Sequence, residues 1–152
     1  MNKKLKIKKS TKVKSGAFFD FENSDNLLIA GLDEAGRGPW AGPIVASAYI
    51  PHKKILKTRI DDSKKLNKAQ REDAYAKLIK SGFYGIGIAE SWEIDRFGLM
   101  NANQKAFTRA IEDLILKFSK KPDLILIDGK DKILPKVTLH IPFKTIIKGD
   151  SL

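Results

Sequence analysis

Four acidic residues have the type and placement to do chemistry: Asp33, Glu34, Asp128 and Asp150. Each stands at or just beyond the end of a short apolar run: Leu27–Leu32, Leu124–Ile127 and Thr145–Ile147. If those runs lie side by side as strands, their ends bring the carboxylates together. Crowded carboxylates repel one another unless cations neutralise them. Hard divalent ions such as Mg²⁺ or Mn²⁺ take carboxylate and water oxygens and keep positions open for phosphate. Two such ions about 4 Å apart activate water and stabilise a leaving oxygen in phosphodiester cleavage. The chain has no cysteine, and neither His52 nor His140 has a partner at metal-ligand spacing. A metal here would be an oxygen-ligated one. Taken singly, an aspartate after a strand more often starts a turn or caps a helix. The adjacent pair Asp33-Glu34 is harder to dismiss, because both members cannot serve one cap.

The elements that must position these groups are legible from the pattern. Leu27–Leu32 reads as a buried strand, and residues 35–42, with three glycines and a proline, as a tight loop. Ile44–Ile50 reads as a second strand, stopped by Pro51. Asn67 is placed to cap a helix running through Lys80 and closed by Gly82. Phe83–Ala89 alternates glycine with apolar residues, the mark of a strand on which something packs closely. Leu99, Ala102, Ala106, Ala110, Leu114 and Phe118 recur at helical spacing. Two further strands, Leu124–Ile127 and Thr145–Ile147, lead into Asp128 and Asp150. The expectation is an α/β chain, strands first in a meander and then alternating with other segments. Trp92 is expected in the core and Trp40 in local packing within its loop.

Composition bounds the function. At 152 residues the chain fits one domain, and no apolar run approaches a membrane span. A net charge of +11 favours polyanions, nucleic acid above all. Residues 1–25 begin with a lysine run before any acidic residue and read as a basic, flexible arm with an apolar foothold at Phe18, Phe19 and Phe21; residues 26–152 form the folded domain. Without a secretory apolar stretch, the expected location is the cytoplasm and the expected state a monomer.

At this point the sequence resembles a known family. Gly31-Leu32-Asp33-Glu34-Ala35-Gly36-Arg37-Gly38-Pro39-Trp40-Ala41-Gly42-Pro43 is similar to the signature of ribonuclease HII. Asp62-Ser63-Lys64-Lys65-Leu66, Leu126-Ile127-Asp128-Gly129 and Ile147-Lys148-Gly149-Asp150-Ser151 resemble that family's further blocks, in family order. The resemblance implies a ribonuclease H-like fold, a mixed sheet flanked by helices. It implies an endonuclease that cuts the RNA strand of RNA/DNA hybrids, and cuts 5′ to a single ribonucleotide in duplex DNA. By motif match, Asp33, Glu34, Asp128 and Asp150 would be catalytic and hold Mg²⁺ or Mn²⁺. Gly36, Arg37 and Gly38 would read the 2′-hydroxyl that separates RNA from DNA, and Ser63, Lys64 and Lys65 would touch the nucleic-acid backbone. For Arg37 the competing role is a salt bridge within its own loop; for Lys64 and Lys65 it is a solvated basic turn. Ribonuclease HIII usually differs at the loop arginine and carries a larger N-terminal domain, so Arg37 and the short arm favour HII. Family members also continue past the fourth block with an Ala-rich helix and a substrate-stacking tyrosine, so the sequence reads as cut short at its C-terminus. A catalytically incomplete nucleic-acid-binding fragment is therefore the alternative. A different fold-related nuclease or resolvase would explain the carboxylates but not the Gly36-Arg37-Gly38 loop.

Overall fold

The computed structural model describes residues 27–39, 41–52, 65–128 and 140–146. The expected N-terminal arm, Trp40, Ser63, Lys64 and Asp150 lie outside them. The described chain runs β1 (Ile29–Ala35), β2 (Ile44–Pro51), α1 (Lys68–Leu78), β3 (Gly82–Ala89), α2 (Ser91–Phe97), α3 (Leu99–Phe118), β4 (Leu124–Asp128) and β5 (Phe143–Ile146). The strands form one sheet in the order β3-β2-β1-β4-β5. β1, β2 and β3 pair antiparallel as a meander, whereas β4 joins β1 and β5 joins β4 in parallel. The long helix α3 supplies the crossover that a parallel return requires. This is the mixed sheet that the family resemblance implies, with the meander that the sequence pattern predicts.

One face of the sheet is sealed by α3. Ala30 and Leu32 of β1, Ile44, Ala46, Ala48 and Ile50 of β2, and Ile125 and Ile127 of β4 turn inward at period two. They meet Ala102, Ala106, Phe107, Ala110, Ile111 and Leu114 of α3, all buried. Each large side chain in this stripe contributes about 1.5–3 kcal/mol by leaving water. The Gly-apolar alternation of β3 has its cause here. A methyl group on Gly85 would run into the backbone of Ala110 and Leu114, and one on Gly87 into that of Ala106 and Ala110. Only glycine lets α3 lie so close to the sheet.

β3 is an edge strand, and α3 also closes its outer rim. The Asp113 carboxylate accepts from the Ile86 N–H at 2.8 Å, and the Arg109 guanidinium donates to the Ile88 carbonyl. At the other end of the sheet, Leu28 and Asp123 clamp the starts of β1 and β4. The Leu28 N–H donates to the Asp123 carboxylate at 2.8 Å, and the Asp123 N–H donates to the Leu28 carbonyl at 2.7 Å.

Several details differ from the sequence reading. Helix α1 starts as expected: Asn67 accepts from the Gln70 N–H and Gln70 returns the bond to the Asn67 N–H, both at 2.9 Å. It ends at Leu78 rather than Lys80, and Gly82 opens β3 against the Tyr49 ring instead of closing the helix. Pro51 is the last residue of β2 rather than the residue that stops it. Trp92 is not in the core; it lies on α2 with 58% of its surface exposed. The residue of α2 that turns inward is Glu93, held there by cations, and this leaves Trp92 facing out. His52 and His140 are both exposed, in keeping with surface roles. Among the described residues no helix is long and apolar enough to cross a membrane.

Candidate metal and nucleic-acid site

β1 does not end before its acidic pair; it carries Asp33 and Glu34 within it, opposite Ser47 and Ala46 of β2. The alternation of a strand therefore sends the two carboxylates to opposite faces. Glu34 shares the α3 side with Ala30 and Leu32, and its side chain is only 13% exposed. Asp33 shares the other, open face with Gly31 and is exposed. Asp128 closes β4 on that same open face, after Leu124 and Leu126, and is also exposed. β1 and β4 are parallel with Leu32 opposite Ile127. One further step of that register sets Asp33 beside Asp128, one strand spacing of about 4.8 Å away. Two carboxylates from distant points of the sequence thus share the C-terminal edge of two parallel strands.

The local contacts hold this edge in shape. The Glu34 N–H donates to Asp33 Oδ1 at 2.8 Å, and Arg37 Nη1 reaches Glu34 Oε1 at 3.1 Å. The salt bridge weighed for Arg37 from its sequence position is therefore present. Arg37 remains 36% exposed at its side chain, so the pair sits at the water boundary. The loop glycines differ in what they are for. Gly36 has φ +97°, and a methyl there would collide with the Pro43 carbonyl, so the turn itself requires glycine. Gly38 has no such conformation and nothing within 4 Å of where its Cβ would be. Among the described residues no neighbour demands glycine at 38.

Of the second block only Lys65 and Leu66 are described, Lys65 exposed and Leu66 buried just before α1. Asp150 follows Ile146, the β5 partner of Asp128, by four residues. Among the described residues no three His, Cys, Asp or Glu side chains gather as a metal-binding group. The donor set nonetheless fits a hard cation. Asp33 and Asp128 are exposed carboxylates on one face, and Mg²⁺ is commonly held by one or two carboxylates, with waters and phosphate completing its shell.

A polar residue that the helical spacing alone passes over is Asn103. It is completely buried on α3, and among the described residues neither its Nδ2 nor its Oδ1 has a hydrogen-bond partner. Its signal in sequence is an amide one and two turns before Phe107 and Ile111, on an otherwise apolar stripe.

The fold and this strand edge define a ribonuclease H-like protein. The crystal structure of the ribonuclease H2 from Pyrococcus horikoshii OT3 superposes with a TM-score of 0.66 at 28% identity, over 81% of this chain and 64% of that one. Bst-RNase HIII, solved in complex with Mn²⁺, matches in fold with a TM-score of 0.62 at 19% identity, over 82% of this chain and 46% of that one. The sequence matches the Ribonuclease HII family over residues 30–151, and the chain belongs to that family. The Ribonuclease HII of Syntrophus aciditrophicus (strain SB) is 42% identical over 126 residues, which are 82% of this chain and 56% of that protein. The chain thus spans little more than half the length of that relative.

Proposed function

We propose that this chain is an endonuclease that hydrolyses the RNA strand of RNA/DNA hybrids and cuts 5′ to single ribonucleotides in duplex DNA. The observation that carries the reading is the placement of Asp33 beside Asp128 at the exposed ends of parallel strands, in a chain of the Ribonuclease HII family. Asp33, Glu34, Asp128 and Asp150 would hold Mg²⁺ or Mn²⁺. Glu34, whose side chain starts from the opposite face, would join the others by coming round the end of β1. Bound there, the metal would supply two-ion phosphodiester hydrolysis, activating water and stabilising the leaving oxygen.

The chain's own residues bind and select. Gly36 fixes the turn, and the open backbone at Gly38 admits the sugar, whose 2′-hydroxyl marks a ribonucleotide. Arg37 holds Glu34 in the free protein and is exposed enough to turn to a phosphate. Ser63, Lys64 and Lys65 contact the nucleic-acid backbone, and the net charge of +11 draws the duplex in. We place this work in the cytoplasm, by a monomer.

A second reading is a nucleic-acid-binding fragment with an incomplete metal site, whose binding the net charge of +11 would carry. One assay separates the two: a labelled DNA duplex carrying one ribonucleotide, with Mg²⁺ or Mn²⁺, beside Asp128→Asn. Cleavage 5′ to the ribonucleotide that disappears in the variant supports the nuclease. Salt-sensitive binding with no cleavage in either protein supports the fragment.

A further inference from the structure

Buried amides without partners are rare, because leaving one unsatisfied costs about 1–3 kcal/mol. Asn103 is such an amide, fully buried, with both polar atoms unpartnered among the described residues. Its position on α3 follows from the glycine contacts. Gly87 lies against Ala106 and Ala110, and α3 runs antiparallel to β3, because Gly85 lies against Ala110 and Leu114. Two strand residues onward from Gly87, about 6.6 Å, correspond to about four helical residues back toward the N-terminus of α3. Asn103 is thus level with Ala89 and its β2 partner Ile44. Ile44 lies against Gly36, two residues past Glu34.

The direction is also fixed. Arg109 and Asp113, on one flank of α3, reach the outer rim of β3. Asn103, Phe107 and Ile111, on the opposite flank, turn toward the inner strands. Glu34 is the acidic residue that β1 directs to this same side of the sheet, and it is nearly buried. Arg37 occupies its Oε1; among the described residues Oε2 has no hydrogen-bond partner.

We propose that Asn103 is a positioning residue for Glu34: one water, bound by the Asn103 carboxamide, bridges to Glu34 Oε2 while Arg37 holds Oε1. Asn103 Nδ2, Asn103 Oδ1 and Glu34 Oε2 supply the three polar partners that a buried water typically has. The bridge presets the carboxylate that must come round the end of β1 to reach a metal, and groups that orient ligands in this way commonly set metal affinity. The inference rests on the reading that the carboxylates bind metal.

The test is Mn²⁺ binding, followed by the loss of the free-ion electron paramagnetic resonance signal, with thermal unfolding in EDTA as a metal-free control. The chains are the parent, Asn103→Leu, Asn103→Ser and Asp128→Asn. Leucine keeps the branched shape and, being larger, fills the water's place, so Asn103→Leu is expected to fold with a stability in EDTA close to the parent's. It is expected to bind Mn²⁺ about tenfold more weakly, with Asn103→Ser, which keeps a donor and acceptor for the water, within about threefold of the parent. Parent-like Mn²⁺ affinity in Asn103→Leu would overturn the proposal and leave the metal site standing. So would a large loss of stability for that variant in EDTA, which would make Asn103 a core residue. If the parent and Asp128→Asn bind Mn²⁺ alike, the metal reading itself fails and the proposal falls with it.

Discussion

Two regions of the molecule hold carboxylates at different depths. Glu93 on α2 is 2% exposed and fully engaged: Arg109 donates at 2.6 and 3.0 Å, Lys105 at 3.2 Å and the Glu90 N–H at 3.2 Å. The Arg109 bonds above all, helped by Lys105 and outweighing burial, hold its carboxyl down at about 2. Asp33 and Asp128 stand exposed at the ends of β1 and β4 on the open face. Strong perturbation of an acid is often taken as a pointer to chemistry. Here it points to a structural clamp that ties α2 to α3 and, through Arg109, to the edge of β3. The exposed pair is where we propose the reaction. Accessibility and a shared face distinguish the proposed site.

That contrast can be broken or sharpened by experiment. Asp128→Asn should lower cleavage by about a thousandfold, since metal-borne charge stabilisation is worth several kcal/mol. Its melting temperature in EDTA should stay near that of the parent, and a collapse of the fold would erase the distinction. Glu93→Ala should do the reverse. Stability in urea should fall by about 2–4 kcal/mol, somewhat relieved because Arg109 can turn to water, with cleavage per folded molecule preserved. Gly87→Ala should cost about 1–3 kcal/mol by forcing α3 off the sheet, read as a lower urea midpoint.

The pH dependence is a finer probe. The Glu93 pKa is depressed from 4.5 to about 2 in the folded chain. Its stabilisation is therefore complete above the unfolded value, near 4.5, and is lost as pH falls from there toward 2. Melting temperature measured across that window should drop more steeply for the parent than for Glu93→Gln. The smallest effect is expected at Asn67→Ala, which removes the α1 cap and should cost about 1 kcal/mol by urea titration.

Much of this architecture was legible in the residues, for identifiable reasons. Period two and turn residues delimit β1 to β4, and the glycines of β3 announce a helix backbone pressed on them. Helix α2 escaped because seven residues, Ser91–Phe97, are too few for a helical period to show, and its one fully buried residue is Glu93, beside a half-buried Ile94. The same inversion put Trp92 outside. Helix α1 ran shorter than its polar composition allowed, because Ser81 and Gly82 are drawn into pairing beside β2. For the site, the pairing of Asp33 with Asp128 depends on a parallel register between segments nearly a hundred residues apart, which no local pattern encodes. That Glu34 faces away from Asp33 follows from strand alternation once β1 is known to run through both residues. Residues 62–64 of the second block and Asp150 lie outside the described residues.

The rim of β3 has a consequence for how molecules of this protein meet one another. An uncovered edge strand is a template on which a second chain can add, the usual first step toward aggregates. Here an incoming strand would find the Ile86 N–H and the Ile88 carbonyl already taken by Asp113 and Arg109. To displace Arg109 it would also have to pull the guanidinium from Glu93. The ion pair that joins α2 to α3 therefore doubles as a lock against misassembly, and weakening it should make the protein stickier at high concentration before it makes it unfold.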